Sequence, residues 1–203
     1  MLPTGIGLGW ADPRLAHDLL PGEALPRAVL KRHRAFSAGR AAARMAMERP
    51  EQSLPMCRDR SPLWPTGICG SISHSDSACL AIAAPLSLYR GLGIDLEPAL
   101  PLEPALWETV LTAAEQTWLA GLPAAQRGLT AKLIFSAKEA AYKAQYRISE
   151  HLFGYDGLDV SFYERTFTIH LTAAIPGFAD ACGWRGQWQV TDGHLLTLVT
   201  ILA

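Results

Sequence analysis

The sequence has few charged residues and no long apolar run. Charged side chains make up 18% of its 203 residues and the formal net charge is −1, which excludes a strongly basic coat for nucleic acid. Apolar residues make up 49%, so a disordered chain is excluded as well. No stretch reaches the roughly 18 to 20 uninterrupted apolar residues of a membrane span, and the N-terminus lacks a signal-peptide pattern. The sequence predicts a globular, cytoplasmic protein without a membrane span.

Cysteine is also scarce, and several common ligand motifs are missing. The four cysteines have no C-x-x-C spacing, so we expect reduced thiols rather than a disulfide scaffold. The sequence contains no Walker A loop, no G-x-G-x-x-G and no H-E-x-x-H. It also lacks the G-x-S-x-G elbow of a serine hydrolase. These absences exclude the nucleotide, zinc-protease and hydrolase sites that the motifs build.

The small net charge conceals a basic N-terminal segment. Residues 1–60 carry ten basic and six acidic side chains, and seven of the basic ones lie between Arg27 and Arg49. This segment is rich in Ala and free of Pro, which predicts a helix over 27–48. Arg40 shares the apolar face of that helix with Phe36, and an arginine there needs a partner. The partner is either solvent at the edge of the core or a phosphate of a ligand.

Prolines and apolar runs indicate an α+β fold with two similar lobes. The prolines and glycines of residues 50–70 predict a loop. Pro98, Pro101 and Pro104 suggest a boundary between two lobes. We therefore expect an N-terminal lobe over 1–100 and a C-terminal lobe over 101–203. The apolar strands that follow His74 and His194 resemble each other, which suggests an internal duplication. The predicted elements after residue 70 are strands over 78–84, 92–97, 157–163, 167–171, 186–191 and 194–202, and helices over 103–119 and 129–145.

Asp95 and Glu97 form a D-x-E pair on a predicted strand. Residues two apart on a strand point to the same face, so the two carboxylates lie side by side. They repel each other unless a cation or solvent separates them. Mg²⁺ prefers one or two carboxylates together with substrate phosphates. The pair is either a metal site or a solvated strand face.

Two further segments carry polar side chains at suggestive spacing. Glu139 and Lys143 lie one helical turn apart, which is typical of a surface ion pair but also suits one end of a phosphate site. Residues 70–75 read as a turn with Ser73 and His74, either a polar loop or a cradle for phosphate. Taken alone, the first segment favours an ordinary surface ion pair and the second favours an ordinary polar loop.

Taken together, these segments resemble one family. The sequences W-P-x-G-x-x-G-S-I-S-H, G-I-D-x-E and K-E-x-x-x-K occur in this order over most of residues 27–145. The chain is thus similar to the Sfp-type 4′-phosphopantetheinyl transferases, and within them to the branch that serves enterobactin-type siderophore synthetases. The aromatic residue before the K-E motif, often Trp in the family, is Phe135 here. The resemblance implies a fold of two α/β lobes related by a pseudo-twofold axis.

The resemblance also implies a reaction and a set of residues. Such enzymes move 4′-phosphopantetheine from coenzyme A to a serine of a carrier protein and release 3′,5′-ADP. The general base is Glu139 or a metal-bound water, and Lys143 and His74 complete the catalytic set. The 3′-phosphate is assigned to Arg34 and Arg40. The implied Mg²⁺ ligands are Asp95, Glu97 and Glu139, and the implied contacts of the other coenzyme A phosphates are Ser73, His74, Lys138 and Lys143.

The expected partner is an acyl or peptidyl carrier protein, and the expected state is a monomer because two lobes supply both sides of one site. Three alternatives remain open at the level of sequence. The chain could serve fatty-acid carriers, bind coenzyme A or a nucleotide without catalysis, or act as a Mg²⁺-dependent pyrophosphohydrolase with water as acceptor. The carrier protein served, the preference for coenzyme A over acyl-coenzyme A and the carrier-binding surface are not specified by the sequence.

Overall fold

The structure is a computed structural model that describes residues 2–178 and 183–203. Within these residues it combines helices with two antiparallel sheets, which confirms the predicted α+β class. The helices are α1 (Leu30–Met47), α2 (Trp107–Val110), α3 (Ala113–Ala120) and α4 (Ala124–Ser149). The strands are β1 (Gly7–Ala11), β2 (Ile68–His74), β3 (Cys79–Pro85), β4 (Tyr89–Pro98), β5 (Leu158–Tyr163), β6 (Thr166–Leu171), β7 (Trp184–Thr191) and β8 (His194–Leu202).

Each sheet packs against one long helix. The three-stranded sheet has the order β1-β3-β2 and lies against α1, whereas the five-stranded sheet has the order β4-β8-β7-β6-β5 and lies against α4. The first three strands of the larger sheet repeat the arrangement of the smaller one, with β5 and β6 added at the edge. The strands β3 and β8, which resemble each other in sequence, occupy matching positions. This repetition agrees with the expected internal duplication.

The repeated unit depends on close contact between a strand and its helix. A Cβ added to Gly9 would lie 1.8 Å from a carbonyl oxygen of α1, and one added to Gly93 would lie 1.7 Å from a carbonyl oxygen of α4. Any larger residue would push strand and helix apart. The four glycine contacts are Gly7 with Ala46, Gly9 with Ala42, Gly91 with Ala144 and Gly93 with Ala140.

The structure differs from the sequence-based prediction in several elements, and three of these differences bear on the site. The strand with Asp95 belongs to the five-stranded sheet, so the chain changes sheet before residue 89 rather than at Pro98, Pro101 and Pro104. Residues 68–74 form a strand rather than a turn, because Ser71 and Ser73 are buried against β4 instead of facing water. The helix predicted over 103–119 is divided into a 3₁₀ turn and two short helices.

The two sheets meet where β2 runs beside β4. The hydroxyl of Ser71 accepts a hydrogen bond from the backbone N–H of Ile94, and that of Ser73 accepts one from Leu96, both at 3.1 Å. Serine side chains thus satisfy N–H groups of β4 that a neighbouring strand would otherwise satisfy. This contact joins the two halves of the protein.

The structure describes three of the four cysteines, and its four described helices can be compared with a membrane span. Cys57, Cys69 and Cys79 are free thiols, as expected, and Cys182 lies outside the described residues. Burial raises the pKa of the Cys79 thiol to about 12. In the part of the chain that the structure describes, no helix is both long and apolar enough to cross a membrane.

Candidate active site

Asp95 lies at the centre of a polar cluster between the two halves. Its side chain is buried, and its Oδ1 accepts hydrogen bonds from Lys143 Nζ at 2.7 Å and from Ser73 Oγ at 3.0 Å. Its Oδ2 accepts one from Ser136 Oγ at 2.9 Å. Lys143 Nζ also donates to Ser73 Oγ and to the carbonyl of Ile94, each at 3.2 Å. The cluster therefore draws together β2, β4 and α4.

The local sequence explains why these side chains converge. Alternation along β2 points Ser73 toward β4, and alternation along β4 places Asp95 and Glu97 on one face. Ser136 and Lys143 lie seven residues apart on α4, which puts them two turns apart on the same face. The helix and both strands thus aim polar groups at one point.

The other two predicted metal ligands have separate partners. Glu97 Oε2 accepts a hydrogen bond from Lys132 Nζ at 3.0 Å, and Glu139 Oε1 accepts one from the Tyr155 hydroxyl at 2.5 Å. Burial raises the pKa of Tyr155, and the bond to Glu139 and the charges of Asp95 and Glu97 raise it further. The three carboxylates therefore act electrostatically on the same phenol, although each binds a different donor.

The donor chemistry of these residues suits a hard divalent cation, but the arrangement is not a formed metal site. Carboxylate oxygens are what Mg²⁺ prefers in proteins. Among the residues that the structure describes, no three His, Cys, Asp or Glu side chains are grouped closely enough to hold an ion. Lys143, Ser73 and Ser136 already bind the two Asp95 oxygens, whereas one oxygen each of Glu97 and Glu139 has no hydrogen-bond partner among the described residues.

A basic cavity of about 540 Å³ lies between α1 and the end of β2. Arg40 is 5% exposed there, with its guanidinium 4.1 Å above the Phe36 ring. Its Nε donates to the Leu54 carbonyl at 2.8 Å, while its Nη2 has no partner among the described residues. Burial lowers the pKa of Arg40, and arginine side chains stay protonated in folded proteins. The basic side chains that line the cavity are Lys31, Arg32, Arg40, Arg60 and His74.

His74 stands at the end of β2, on the same strand as Ser73. It lines the basic cavity, so β2 carries the cavity at one end and the Asp95 cluster beside it. Partial removal from water and the nearby charge of Lys143 lower the pKa of His74. The imidazole is therefore more often neutral at pH 7 than a solvated one. Strand β2 therefore places Ser73 beside Lys143 and His74 at the rim of the basic cavity.

Arg34 does not line the cavity, although the sequence assigns it to the 3′-phosphate. Residues 32, 36 and 40 recur every four positions along α1 and share one face, whereas residue 34 is turned by about 200° from residue 32. Arg32 therefore lines the cavity in place of Arg34. The sequence reasoning missed Arg32, and its spacing of eight from Arg40 is the signal that would have found it.

Lys138 lies apart from the other predicted ligands and is not accessible to a phosphate in this structure. Its side chain is fully buried, and its Nζ donates to Glu115 Oε2 at 2.7 Å and to the carbonyls of Val110 and Tyr155 at 2.9 Å each. Burial lowers the pKa of Lys138, and the charge of Glu115 opposes that shift. All three N–H donors are used. The assignment of Lys138 to coenzyme A is therefore corrected: it belongs to a buried ion pair.

Two further cavities lie beside Lys143 and Glu139. One of about 730 Å³ reaches Lys143 and is lined by aromatic residues that include Trp64 and Tyr146. The other, of about 240 Å³, is lined by Glu139, Tyr155 and neighbouring residues of α4. Tyr142 borders both cavities. The polar cluster therefore has open space on more than one side.

Sequence profiles of two related domains match nearly the whole chain. Residues 21–84 match the 4′-phosphopantetheinyl transferase N-terminal domain, and residues 91–199 match the 4′-phosphopantetheinyl transferase superfamily. The chain belongs to the 4′-phosphopantetheinyl transferase superfamily. The two matches meet between β3 and β4, where the structure changes from one sheet to the other.

Individual relatives agree with this assignment. The transferase is 34% identical to the 4′-phosphopantetheinyl transferase Svp of Streptomyces mobaraensis, over 91% of this chain and 79% of that one. It is 33% identical to enterobactin synthase component D of Salmonella austin, over 92% and 80%. It is 28% identical to the 4′-phosphopantetheinyl transferase Npt of Nocardia iowensis, over 98% and 97%.

The enzyme is accordingly a phosphopantetheinyl transferase that uses coenzyme A as its substrate and modifies carrier proteins. This confirms the reaction that the motifs implied. The non-catalytic binding module and the pyrophosphohydrolase, which the sequence left open, are not the activities of this superfamily.

Proposed function

We propose that the Asp95 cluster is the catalytic centre and that the basic cavity binds the nucleotide end of coenzyme A. The observation that carries this proposal is the convergence of Ser73, Asp95 and Lys143, from both halves of the chain, beside a cavity lined by cations. Coenzyme A carries a diphosphate and a separate 3′-phosphate. The diphosphate is assigned to Ser73, His74 and Lys143. The 3′-phosphate is assigned to the cavity.

Arg40 is the proposed principal contact of the 3′-phosphate. Its buried Nη2 has no partner among the described residues, and a phosphate oxygen would supply one. We expect Arg40→Met to raise the KM for coenzyme A by roughly tenfold, the range of one charge-assisted hydrogen bond. The KM for dephospho-coenzyme A, which lacks the 3′-phosphate, should change little.

Steady-state kinetics with both substrates measure this difference directly. An equal rise in KM for the two substrates would show that Arg40 supports the cavity but does not contact the phosphate. Arg49→Ala, at an exposed position just beyond the end of α1, is the matched control and should leave both KM values unchanged.

We also propose Mg²⁺ as the metal of this site, with Asp95 and Glu97 as its first ligands and Glu139 as a third. The support is the oxygen chemistry of these side chains and their common effect on Tyr155. When bound, the ion would neutralise the diphosphate and polarise the phosphorus under attack. In this structure Lys143 and Lys132 form ion pairs with Asp95 and Glu97. If the metal took their place, both ammonium groups would be free to turn toward phosphate oxygens.

The chain's own residues account for the remaining chemistry. The serine hydroxyl of the carrier attacks the phosphorus that bears pantetheine, and the bond to the bridging oxygen of the diphosphate breaks. Glu139 is the proposed base that accepts the hydroxyl proton. Lys143 neutralises the charge that develops on the departing 3′,5′-ADP. The alternative base, a water held by the carboxylates, would leave the role of Lys143 unchanged.

Intact-protein mass spectrometry tests the metal and the substrate together. An apo peptidyl carrier protein and an apo fatty-acid carrier are each incubated with the enzyme, coenzyme A and Mg²⁺, and parallel reactions contain EDTA. We expect one added phosphopantetheinyl group on the peptidyl carrier and none with EDTA. Full transfer in EDTA would refute the metal proposal, and faster transfer to the fatty-acid carrier would favour the alternative that the enzyme serves fatty-acid carriers.

The likeness to enterobactin synthase component D supports service to a siderophore, nonribosomal peptide or polyketide synthetase. We propose that the enzyme acts as a cytoplasmic monomer, because the Asp95 cluster already draws residues from both halves of one chain. Size-exclusion chromatography with light scattering distinguishes one chain from two. A dimer that dissociates with loss of activity would overturn the monomer.

A further inference from the structure

The Tyr155 hydroxyl contacts the proposed base but was not predicted from the sequence. It donates to Glu139 Oε1 at 2.5 Å, and its ring lies against Phe135 with centroids 5.7 Å apart. We propose that Tyr155 is a positioning residue for phosphopantetheine transfer, which fixes the Glu139 carboxylate by holding one of its oxygens. This inference rests on the proposed role of Glu139 as base or metal ligand.

Geometry explains what such a contact can do. Glu139 lies on α4 and its side chain has several rotatable bonds, so its carboxylate is not oriented by the helix alone. A phenol is a proton donor at neutral pH, and an ionised carboxylate accepts on both oxygens. With Oε1 held by Tyr155, Oε2 is left for the incoming hydroxyl or a cation. A carboxylate fixed before substrate arrives loses less entropy in the reaction.

Tyr155 is itself held by the buried ion pair of Lys138. It begins the 3₁₀ turn Tyr155–Gly157, and its carbonyl accepts a hydrogen bond from Lys138 Nζ at 2.9 Å. Lys138 is fixed in turn by Glu115 at 2.7 Å. The far side of the turn is tied by Thr172 Oγ1, which donates to the carbonyl of Asp156 at 2.9 Å. The phenol therefore reaches Glu139 from a rigid backbone.

The two residues of α4 that contact Tyr155 are neighbours in the sequence. Lys138 and Glu139 are adjacent on α4 and both line the 240 Å³ cavity, but the Lys138 side chain is fully buried in its ion pair with Glu115. Lys138 holds the backbone of Tyr155 and Glu139 binds its hydroxyl. The pair thus attaches the turn to α4 at two points. This assigns Lys138 a function in the site without any contact with substrate.

Tyr155→Phe is the direct test, because phenylalanine keeps the ring contact with Phe135 and removes only the hydroxyl. We expect kcat for transfer to an apo peptidyl carrier to fall by roughly 10- to 150-fold, the range of a lost hydrogen bond to a charged group. The KM for coenzyme A should stay within about twofold, since the hydroxyl is not assigned to substrate binding. Isothermal titration with coenzyme A should likewise show unchanged affinity. Tyr163→Phe, at an exposed position on β5, is the matched control and should behave as the unaltered enzyme.

A double-mutant cycle with Glu139→Gln separates the two proposals. If Tyr155 acts through Glu139, adding Tyr155→Phe to Glu139→Gln should produce no further loss. Equal additional loss in that background, or normal kcat in Tyr155→Phe while Glu139→Gln is impaired, would overturn the inference about Tyr155. Normal activity in Glu139→Gln would instead refute the proposed role of Glu139, and with it this inference.

Discussion

Asp95→Asn is expected to lower phosphopantetheine transfer by about 100-fold or more, the scale on which removal of one preorganised electrostatic group acts. Asparagine keeps the shape of the side chain and can still accept from Ser73 or Ser136. It removes the negative charge that pairs with Lys143 and that is proposed to hold the metal. The rate of holo-carrier formation with saturating coenzyme A and Mg²⁺ is the measurement.

The loss should come without unfolding. Lys143 is 28% exposed and can turn to solvent when its partner loses charge, so the variant should remain folded by circular dichroism. Asp192→Asn is the control, since Asp192 is exposed in the β7–β8 turn and its φ of 48° is tolerated by asparagine. Near-normal Mg²⁺-dependent turnover in Asp95→Asn would remove Asp95 from the catalytic centre.

Lys138→Ala is expected to lower the free energy of unfolding by about 3–5 kcal/mol, the usual cost of breaking a buried ion pair on one side. The change leaves Glu115 charged and buried, and it deprives the carbonyls of Val110 and Tyr155 of their donor. Glu115 also forms the capping box of α3 with Thr112 and accepts from the N–H of Val160. Urea denaturation followed by circular dichroism measures the difference.

Lys31→Ala provides the comparison for this second prediction. Lys31 pairs with Asp76 at 2.8 Å, but the two side chains are 76% and 83% exposed, so water screens the pair and the stability should change little. If Lys138→Ala had normal stability and bound coenzyme A more weakly, Lys138 would belong to the substrate site after all.

Most secondary structure near the site could be predicted from local sequence. For α1, the D-x-E strand and the K-E-x-x-x-K helix, the spacing of apolar residues within the segment itself is enough to predict the secondary structure. β1 and β2 were not predicted. In β2 the serines alternate with apolar residues in the ordinary way, but Ser71 and Ser73 face another strand rather than solvent. Nothing in the local sequence indicates such a partner.

The residues assigned to the site from the sequence fall into the same two groups. Ser73, Asp95 and Lys143 lie within hydrogen-bond distance of one another because each is aimed by the periodicity of its own element, and His74 follows Ser73 at the end of β2. Arg34 and Lys138 were assigned from charge and motif position alone. The direction of Arg34 depends on which face of α1 packs on the sheet. The surroundings of Lys138 depend on α3, which carries Glu115.

The sequence by itself determined the superfamily, the α+β class and the chemical character of the site, because these follow from motifs whose residues are close together along the chain. Only the tertiary structure decided which side chains share a cavity. Arg32 rather than Arg34 lines the basic cavity, and Tyr155 meets Glu139 across sixteen residues of chain. Such pairings depend on how separate elements pack. A contact between segments that are distant in the sequence does not change the spacing of apolar residues in either segment, so it cannot be predicted from that spacing.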